Sequence, residues 1–221
     1  ANEVLDAMPV KRVVQRERWR ELGVGLDGGR FQWRELDADD RTLAAMRAIE
    51  AQLGELPAGY TSELNLNFAP WFRALADGCS AAALLIVDYG YERASYYHPE
   101  RRDGTLSCHY RHRVHFDPLV YPGLQDITAF VDFDAAADAA EAAGFEVVGL
   151  VSQGHFLLAN GLLDAAQQEF AGDDQWRRLQ VAQQVKALTL PQEMGEKFKV
   201  LALAKNRALQ MPAMMREAAL G

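Results

Sequence analysis

Residues Leu84 to Tyr91 read LLIVDYGY, and no other stretch constrains the fold as much. Leu84, Leu85, Ile86 and Val87 form an apolar run with no alternation. Such a run marks a strand covered on both faces, the interior of a parallel sheet flanked by helices. The run stops at the charge of Asp88, and Gly90 follows. In open α/β sheets the ligand lies just beyond the carboxyl ends of the strands. Asp88, Tyr89 and Tyr91 therefore fall where such a fold does its chemistry. An acidic turn after a core strand is written with the same letters, and one motif alone does not decide.

The chain has 221 residues, enough for one large domain or part of a bigger one. Its net charge of −8 argues against nucleic acid as a partner, because phosphate binding wants clustered Lys and Arg. No apolar run approaches the roughly 18 residues that span a bilayer. The opening ANEVLDAMPV has no basic leader region. No membrane partner and a cytoplasmic location are the expectations. Cys79 and Cys108 stand far apart and outside any CxxC pair, which fits a reducing compartment. NEVLDAMP already reads like the loop that follows a strand, and no GxGxxG is present. Gly23, Gly25, Gly28 and Gly29 fall around a hairpin turn instead. The first, donor-binding half of the domain is expected to lie outside this numbering.

Along the chain, 10–36 reads as an antiparallel hairpin turning at Asp27-Gly28-Gly29. Asp39 or Asp40 caps a helix with Leu43, Met46, Ile49 and Leu53 on one face, ending at Gly54. Ser62 is expected to cap a second helix with Leu64, Phe68, Trp71, Phe72 and Leu75 on its core face, kinked at Pro70. Residues 92–132 read as a long irregular insertion rich in His, Arg, Tyr, Pro and Gly, too aromatic to be disordered. An Ala-rich helix capped at Asp132 or Asp134 ends at Gly144. FEVVGLV is a strand, a helix follows around Gln175 to Leu188, and FKVLALA (Phe198 to Ala204) is the last strand. Strand, crossover helix, strand and a late strand form the pattern of a doubly wound α/β sheet.

Three clusters carry candidate chemistry. Asn2, Glu3 and Asp6 put two carboxylates and an amide on one short loop, which suits a planar cation such as a guanidinium. A solvated acidic loop is the alternative. Cys108, His109, His112 and His115 resemble zinc ligands, but they are bunched together and interleaved with Arg111 and Arg113, whose charge opposes a cation. No metal is expected, and these side chains line a pocket or shape the insertion. Ser152-Gln153-Gly154-His155 follows the FEVVGLV strand and could line the same cleft, with a structural role for His155 the commoner outcome. No nucleophile-elbow sequence is present.

Taken together, several stretches resemble the MidA-like S-adenosylmethionine-dependent methyltransferases, the group that includes a mitochondrial complex I assembly-factor methyltransferase. The matching pieces are NEVLDAMPV (2–10), SEL with a later Trp (62–71), LLIVDYGY (84–91), YYHPERRDGTLSCHYRHR (96–113), DP…PGLQDITAFVDF (117–133), SQGHFLLANG (152–161) and MGEKFKVLAL (194–203). The resemblance implies α/β architecture: the C-terminal half of a class I, Rossmann-like methyltransferase sheet. A β-hairpin insertion (10–36) and a loop insertion (92–132) would belong to that one acceptor-side portion, 1–221. NEVLDAMP would follow the fourth strand, LLIVDYG would be the fifth, and FEVVGLV and FKVLALA the terminal antiparallel pair.

The implied cofactor is S-adenosyl-L-methionine, and the implied partner is a protein substrate with an arginine acceptor. The resemblance leaves room for a homodimer. Carried over by position, Glu3 and Asp6 are catalytic, and Asn2, Asp88, Tyr89 and Gly90 are cofactor-binding. Tyr110, Arg111, His112, Gln125, Asp126 and Gln153 are substrate-binding. Methyl transfer from a sulfonium asks mainly for positioning, with a carboxylate to accept the proton. Two rival readings stay open: a non-catalytic interaction module presenting residues 92–132, and methylation of a small molecule.

Overall fold

The computed structural model describes residues 1–169, 175–209 and 211–214. After Ala1–Val4 come strands β1 (Lys11–Gln15), β2 (Trp19–Asp27) and β3 (Arg30–Asp37), then helix α1 (Asp40–Leu53) and strand β4 (Thr61–Leu64). Helix α2 (Phe68–Asp77) leads to strand β5 (Ala82–Tyr91). The insertion carries α3 (Arg93–Tyr96), β6 (Ser107–Tyr110), β7 (Arg113–His115), β8 (Asp126–Thr128) and β9 (Val131–Asp132). The chain then runs through α4 (Phe133–Ala142), β10 (Glu146–Ser152), α5 (Gln153–Ala159), α6 (Leu162–Glu169), α7 (Gln175–Thr189) and β11 (Phe198–Lys205).

These elements form two compact units. The first holds Ala1–Val4, Ala69–Gly90 and the described residues from Phe133 on. Its sheet places β11 between β10 and β5, antiparallel to both. Residues Val200 to Ala204 of β11 are all buried, so the strand greasy on both faces is this one. β5 departs from the expectation at Leu85, which is 36% exposed in this chain. On its other side β5 meets the N-terminal residues in a parallel bridge, Asn2 opposite Val87. Helix α4 packs its alanine face inward through Ala136 and Ala140. Phe72 meets Phe145 edge-on at 6.2 Å.

The second unit holds Leu5–Phe68 and Tyr91–Asp132. Its larger sheet runs β3-β2-β1-β4, all antiparallel. Gly28 and Gly29 make the β2–β3 turn, both with positive φ (53° and 79°). That pair of left-handed residues matches the twist of a two-residue hairpin. Asp39 caps α1 through a hydrogen bond from the Thr42 N–H at 2.7 Å, and Gly54 ends it at φ 90°. Lys11 holds the same cap residue at 2.9 Å. Those hydrogen bonds, from Lys11 and then Thr42, hold the Asp39 carboxyl far below its usual range. Met46 and Ile49 of α1 pack against Val13, Trp19, Tyr60 and Leu64 of the sheet and its loops.

Two expectations are corrected here. Ser62 does not cap a helix: it lies fully buried in β4, opposite Val13 of β1. The helix begins at Phe68, which puts Pro70 in its first turn, where a missing N–H costs nothing and no kink follows. Nor is 92–132 irregular. β6 is the centre of a small antiparallel sheet with β7 and β8.

Candidate active site

In the first unit the acidic N-terminal segment is stitched to β5. The Val87 N–H donates to the Ala1 carbonyl at 2.9 Å, and the Glu3 N–H donates to the Val87 carbonyl at 2.9 Å. One residue further, the Val4 N–H donates to Asp88 Oδ2 at 3.1 Å, while Asp88 Oδ1 accepts from the Tyr89 N–H at 3.0 Å. Asp88 is fully buried. Its carboxylate therefore shapes two neighbouring strand ends from within. Glu3 has φ 48°, a conformation that costs about 1–3 kcal/mol for a residue with a side chain and that clusters at functional sites. Asn2 and Glu3 are exposed, and the Asn2 amide donates to Glu3 Oε1 at 3.2 Å. Tyr89 is half-buried, its ring edge-on to Phe198 at 5.5 Å, and Gly90 is buried beyond it.

Gln153 also belongs to this unit. It is buried at the start of α5, and its amide donates to the Leu188 carbonyl at 3.1 Å. Ser152 caps the helix by accepting from the His155 N–H at 3.4 Å. This motif fastens α5 to α7.

In the second unit Asp6 is 3% exposed. Its carbonyl accepts from the Ala129 N–H at 3.0 Å, which ties the acidic segment to the insertion just past β8. Gln125 donates to the Pro118 carbonyl at 2.8 Å, and Asp126 opens β8 opposite His109. Tyr110 stacks on Tyr121 at 4.7 Å, with the Arg111 guanidinium 5.3 Å from its ring. Arg111 and His112 make the β6–β7 turn with φ of 48° and 63°. Both are exposed. Cys108 and His115 face each other across β6 and β7. Among the described residues no group of three or more His, Cys, Asp or Glu is placed to hold a metal.

Sequence reasoning missed a polar cluster in the second unit. Glu63 of β4 is 1% exposed. Its Oε2 accepts from the Thr105 N–H at 2.6 Å and the Thr105 hydroxyl at 3.2 Å. Arg12 Nε lies 3.6 Å from Oε1. Burial raises the Glu63 carboxyl above its usual range, outweighing the opposing Thr105 hydrogen bond and the Arg12 charge. A charge in a short strand ordinarily reads as solvent-facing, and nothing in its spacing marks it otherwise.

An antiparallel trio with the last strand inserted, next to a parallel neighbour and followed at β5 by a buried aspartate, defines the far edge of a class I methyltransferase sheet. The comparisons agree. Residues 1–151 match the family model of S-adenosyl-L-methionine-dependent methyltransferases, and the chain belongs to that family. A COG1565-superfamily protein from Burkholderia thailandensis, solved bound to S-adenosyl-homocysteine, is 39% identical and superposes with a TM-score of 0.88 over 97% of this chain. The match covers 55% of that protein. The zebrafish mitochondrial protein arginine methyltransferase NDUFAF7 (Danio rerio) is 28% identical over 98% of this chain and 49% of its own length. The mouse protein of that name (Mus musculus) is 32% identical over 63% of this chain and 30% of its own length. The chain thus spans about half the length of the zebrafish and Burkholderia relatives. The family's cofactor is S-adenosyl-L-methionine.

Proposed function

We propose that this chain is the acceptor side of an enzyme that transfers a methyl group to an arginine side chain of a protein. The observation that carries the reading is the Val4–Asp88 hydrogen bond. It fixes the segment bearing Asn2 and Glu3 at the carboxyl end of β5, where such sheets bind ligands. The names of the zebrafish and mouse relatives favour arginine as the acceptor.

S-adenosyl-L-methionine, when bound, supplies an electrophilic methyl on a sulfonium. An exposed amide (Asn2), a half-buried phenol (Tyr89) and the Gly90 backbone form a donor and acceptor set that suits an adenosyl group and its amino-acid tail. Asp88 holds that edge in shape rather than presenting itself. Glu3 and Asp6 are the carboxylates offered to the guanidinium, whose planar fork they match. One of them takes the proton released as the nitrogen is alkylated. Tyr110, Arg111, His112, Gln125 and Asp126 sit on the insertion that faces the acceptor protein. No nucleic acid enters, given the charge of −8.

The test uses the complete protein. Calorimetry with S-adenosyl-homocysteine should show binding, and an arginine-bearing acceptor should gain label from methyl-labelled donor. No binding at millimolar ligand removes the enzyme reading and leaves an interaction module on this fold. Label on a small guanidino compound but never on protein removes the protein substrate.

A further inference from the structure

Beside Asp6 the second unit holds an apolar cleft of about 540 Å³ that the acidic segment does not account for. The β2–β3 hairpin lines it through Leu22, Val24, Phe31 and Trp33, and Val24 pairs with Trp33, so their side chains share one face. The insertion lines it too, through Leu119 and Ile127. Ala7 to Val10 also line it. Val24 is 55% exposed and Ile127 43%. Contiguous exposed apolar surface of this kind marks a place that binds something. The volume lies within the roughly 300–1,000 Å³ of ligand clefts, more than one side chain needs.

What it binds follows from where it starts. Asp6 is followed by Ala7 and hydrogen-bonded through its carbonyl to Ala129, and both alanines line the cleft. A substrate arginine brought to Asp6 would therefore place its flanking residues beside this cleft. Arg12 is the one charged residue on the lining. Its guanidinium lies 5.1 Å from the Trp33 ring, and Nη2 donates to the Asp103 carbonyl at 3.1 Å. That guanidinium is already engaged, so the cleft offers a charged side chain no partner.

We infer that the cleft is a specificity subsite for large apolar residues flanking the acceptor arginine of a protein substrate. This rests on the arginine-acceptor reading above. The occupant is an extended, uncharged stretch of the substrate, with leucine-sized side chains seated between Val24, Trp33 and Ile127.

The experiment takes the complete protein saturated with S-adenosyl-homocysteine and two fluorescein-labelled peptides. Each has a single arginine, flanked on both sides by leucines in one and by serines in the other. The leucine peptide should bind at least about tenfold more tightly, the factor one buried leucine-sized side chain carries. Val24→Glu and Ile127→Glu change half-exposed positions, and each should shrink that preference below about threefold while S-adenosyl-homocysteine still binds. Equal binding of both peptides, or a preference that survives both substitutions, overturns the subsite. With methyl-labelled donor, equal labelling of both peptides overturns the subsite and leaves the arginine reading standing. Tight binding of the leucine peptide with no label on any arginine overturns the arginine reading and this occupant with it. If Val24→Glu instead halves the particle mass in light scattering without changing peptide binding, the cleft is a face between two copies and the proposal fails.

Discussion

Asp88 Oδ2 receives the Val4 backbone N–H at 3.1 Å from a side chain with no exposure to solvent. One buried carboxylate thereby sets how the acidic segment leaves its strand. Asp88→Ala leaves two backbone N–H groups short of an acceptor, at a cost of about 1–3 kcal/mol each where they stay dry. Asp88→Asn retains one acceptor oxygen. The alanine variant should lose at least about tenfold in S-adenosyl-homocysteine affinity, and the asparagine variant markedly less, by calorimetry on the complete protein. Equal affinities in both variants and wild type would remove Asp88 from the positioning role.

The two carboxylates of the segment differ in surroundings, and that difference ranks their effects. Asp6 is almost fully buried while Glu3 is exposed. Electrostatic interactions weaken in water and strengthen where water is excluded. Asp6→Asn should lower kcat for an arginine acceptor by about 10²–10³, the scale of losing one preorganised charge partner. Glu3→Gln should lower it less, and its residual effect should fade with added salt. Steady-state kinetics at two ionic strengths separate the two, and the reverse ranking would mean that Glu3 is the principal partner.

How much of this was legible depends on whether a signal was local. The α1 helix was, because the Asp39 cap, an apolar face and Gly54 lie within one short window. The Gly28-Gly29 turn was, because few residues tolerate two positive φ values in succession. The helical spacing of Leu64, Phe68, Trp71, Phe72 and Leu75 misled, because Leu64 lies in β4 and only the later members share a helix. The insertion's sheet was invisible because β6, β7 and β8 are three or four residues long, too short to show alternation. The acidic segment stood out as chemistry on sequence grounds, yet the Val4–Asp88 link joins residues 84 apart and has no local trace.

Glycine at 195 serves the SQGH motif at a distance. The Gly154 N–H donates to the Gly195 carbonyl at 2.9 Å, so α5 and the segment after α7 touch through backbone. A methyl on Gly195 would run into the Thr189 carbonyl, and one on Gly154 would stand 2.7 Å from the same oxygen. Backbone cannot swing aside as a side chain can. Gly195→Ala should destabilise by at least the roughly 1–3 kcal/mol typical of overpacking. Gly28→Ala, with open space around its Cβ, should cost only the strain of φ 53°. Urea titrations of the two variants would show the order, and a reversal would mean that the α5–α7 contact yields easily.

Glu63 provides a pH dependence with a definite sign. Its carboxyl is raised above the ordinary 4.5, first by burial, with the Thr105 hydrogen bond and Arg12 only partly opposing. A folded value above the unfolded one means the folded state holds the proton more tightly. The stability this contributes is complete below about pH 4 and is lost as pH rises through the raised value. Glu63→Gln removes the titration while keeping an acceptor for the Thr105 N–H. Wild type should therefore lose stability relative to the glutamine variant as pH rises above about 4, read from urea midpoints at several pH values. Glu63→Ala leaves the Thr105 N–H without its acceptor and should cost about 1–3 kcal/mol, the scale of a buried donor left unpaired. Gly104→Ala should act in the same direction, because a Cβ there collides with the Glu63 carboxylate and φ is 77°. A pH-independent gap between wild type and Glu63→Gln would mean that Glu63 titrates alike folded and unfolded. Arg12 would then neutralise it fully, despite lying 3.6 Å away.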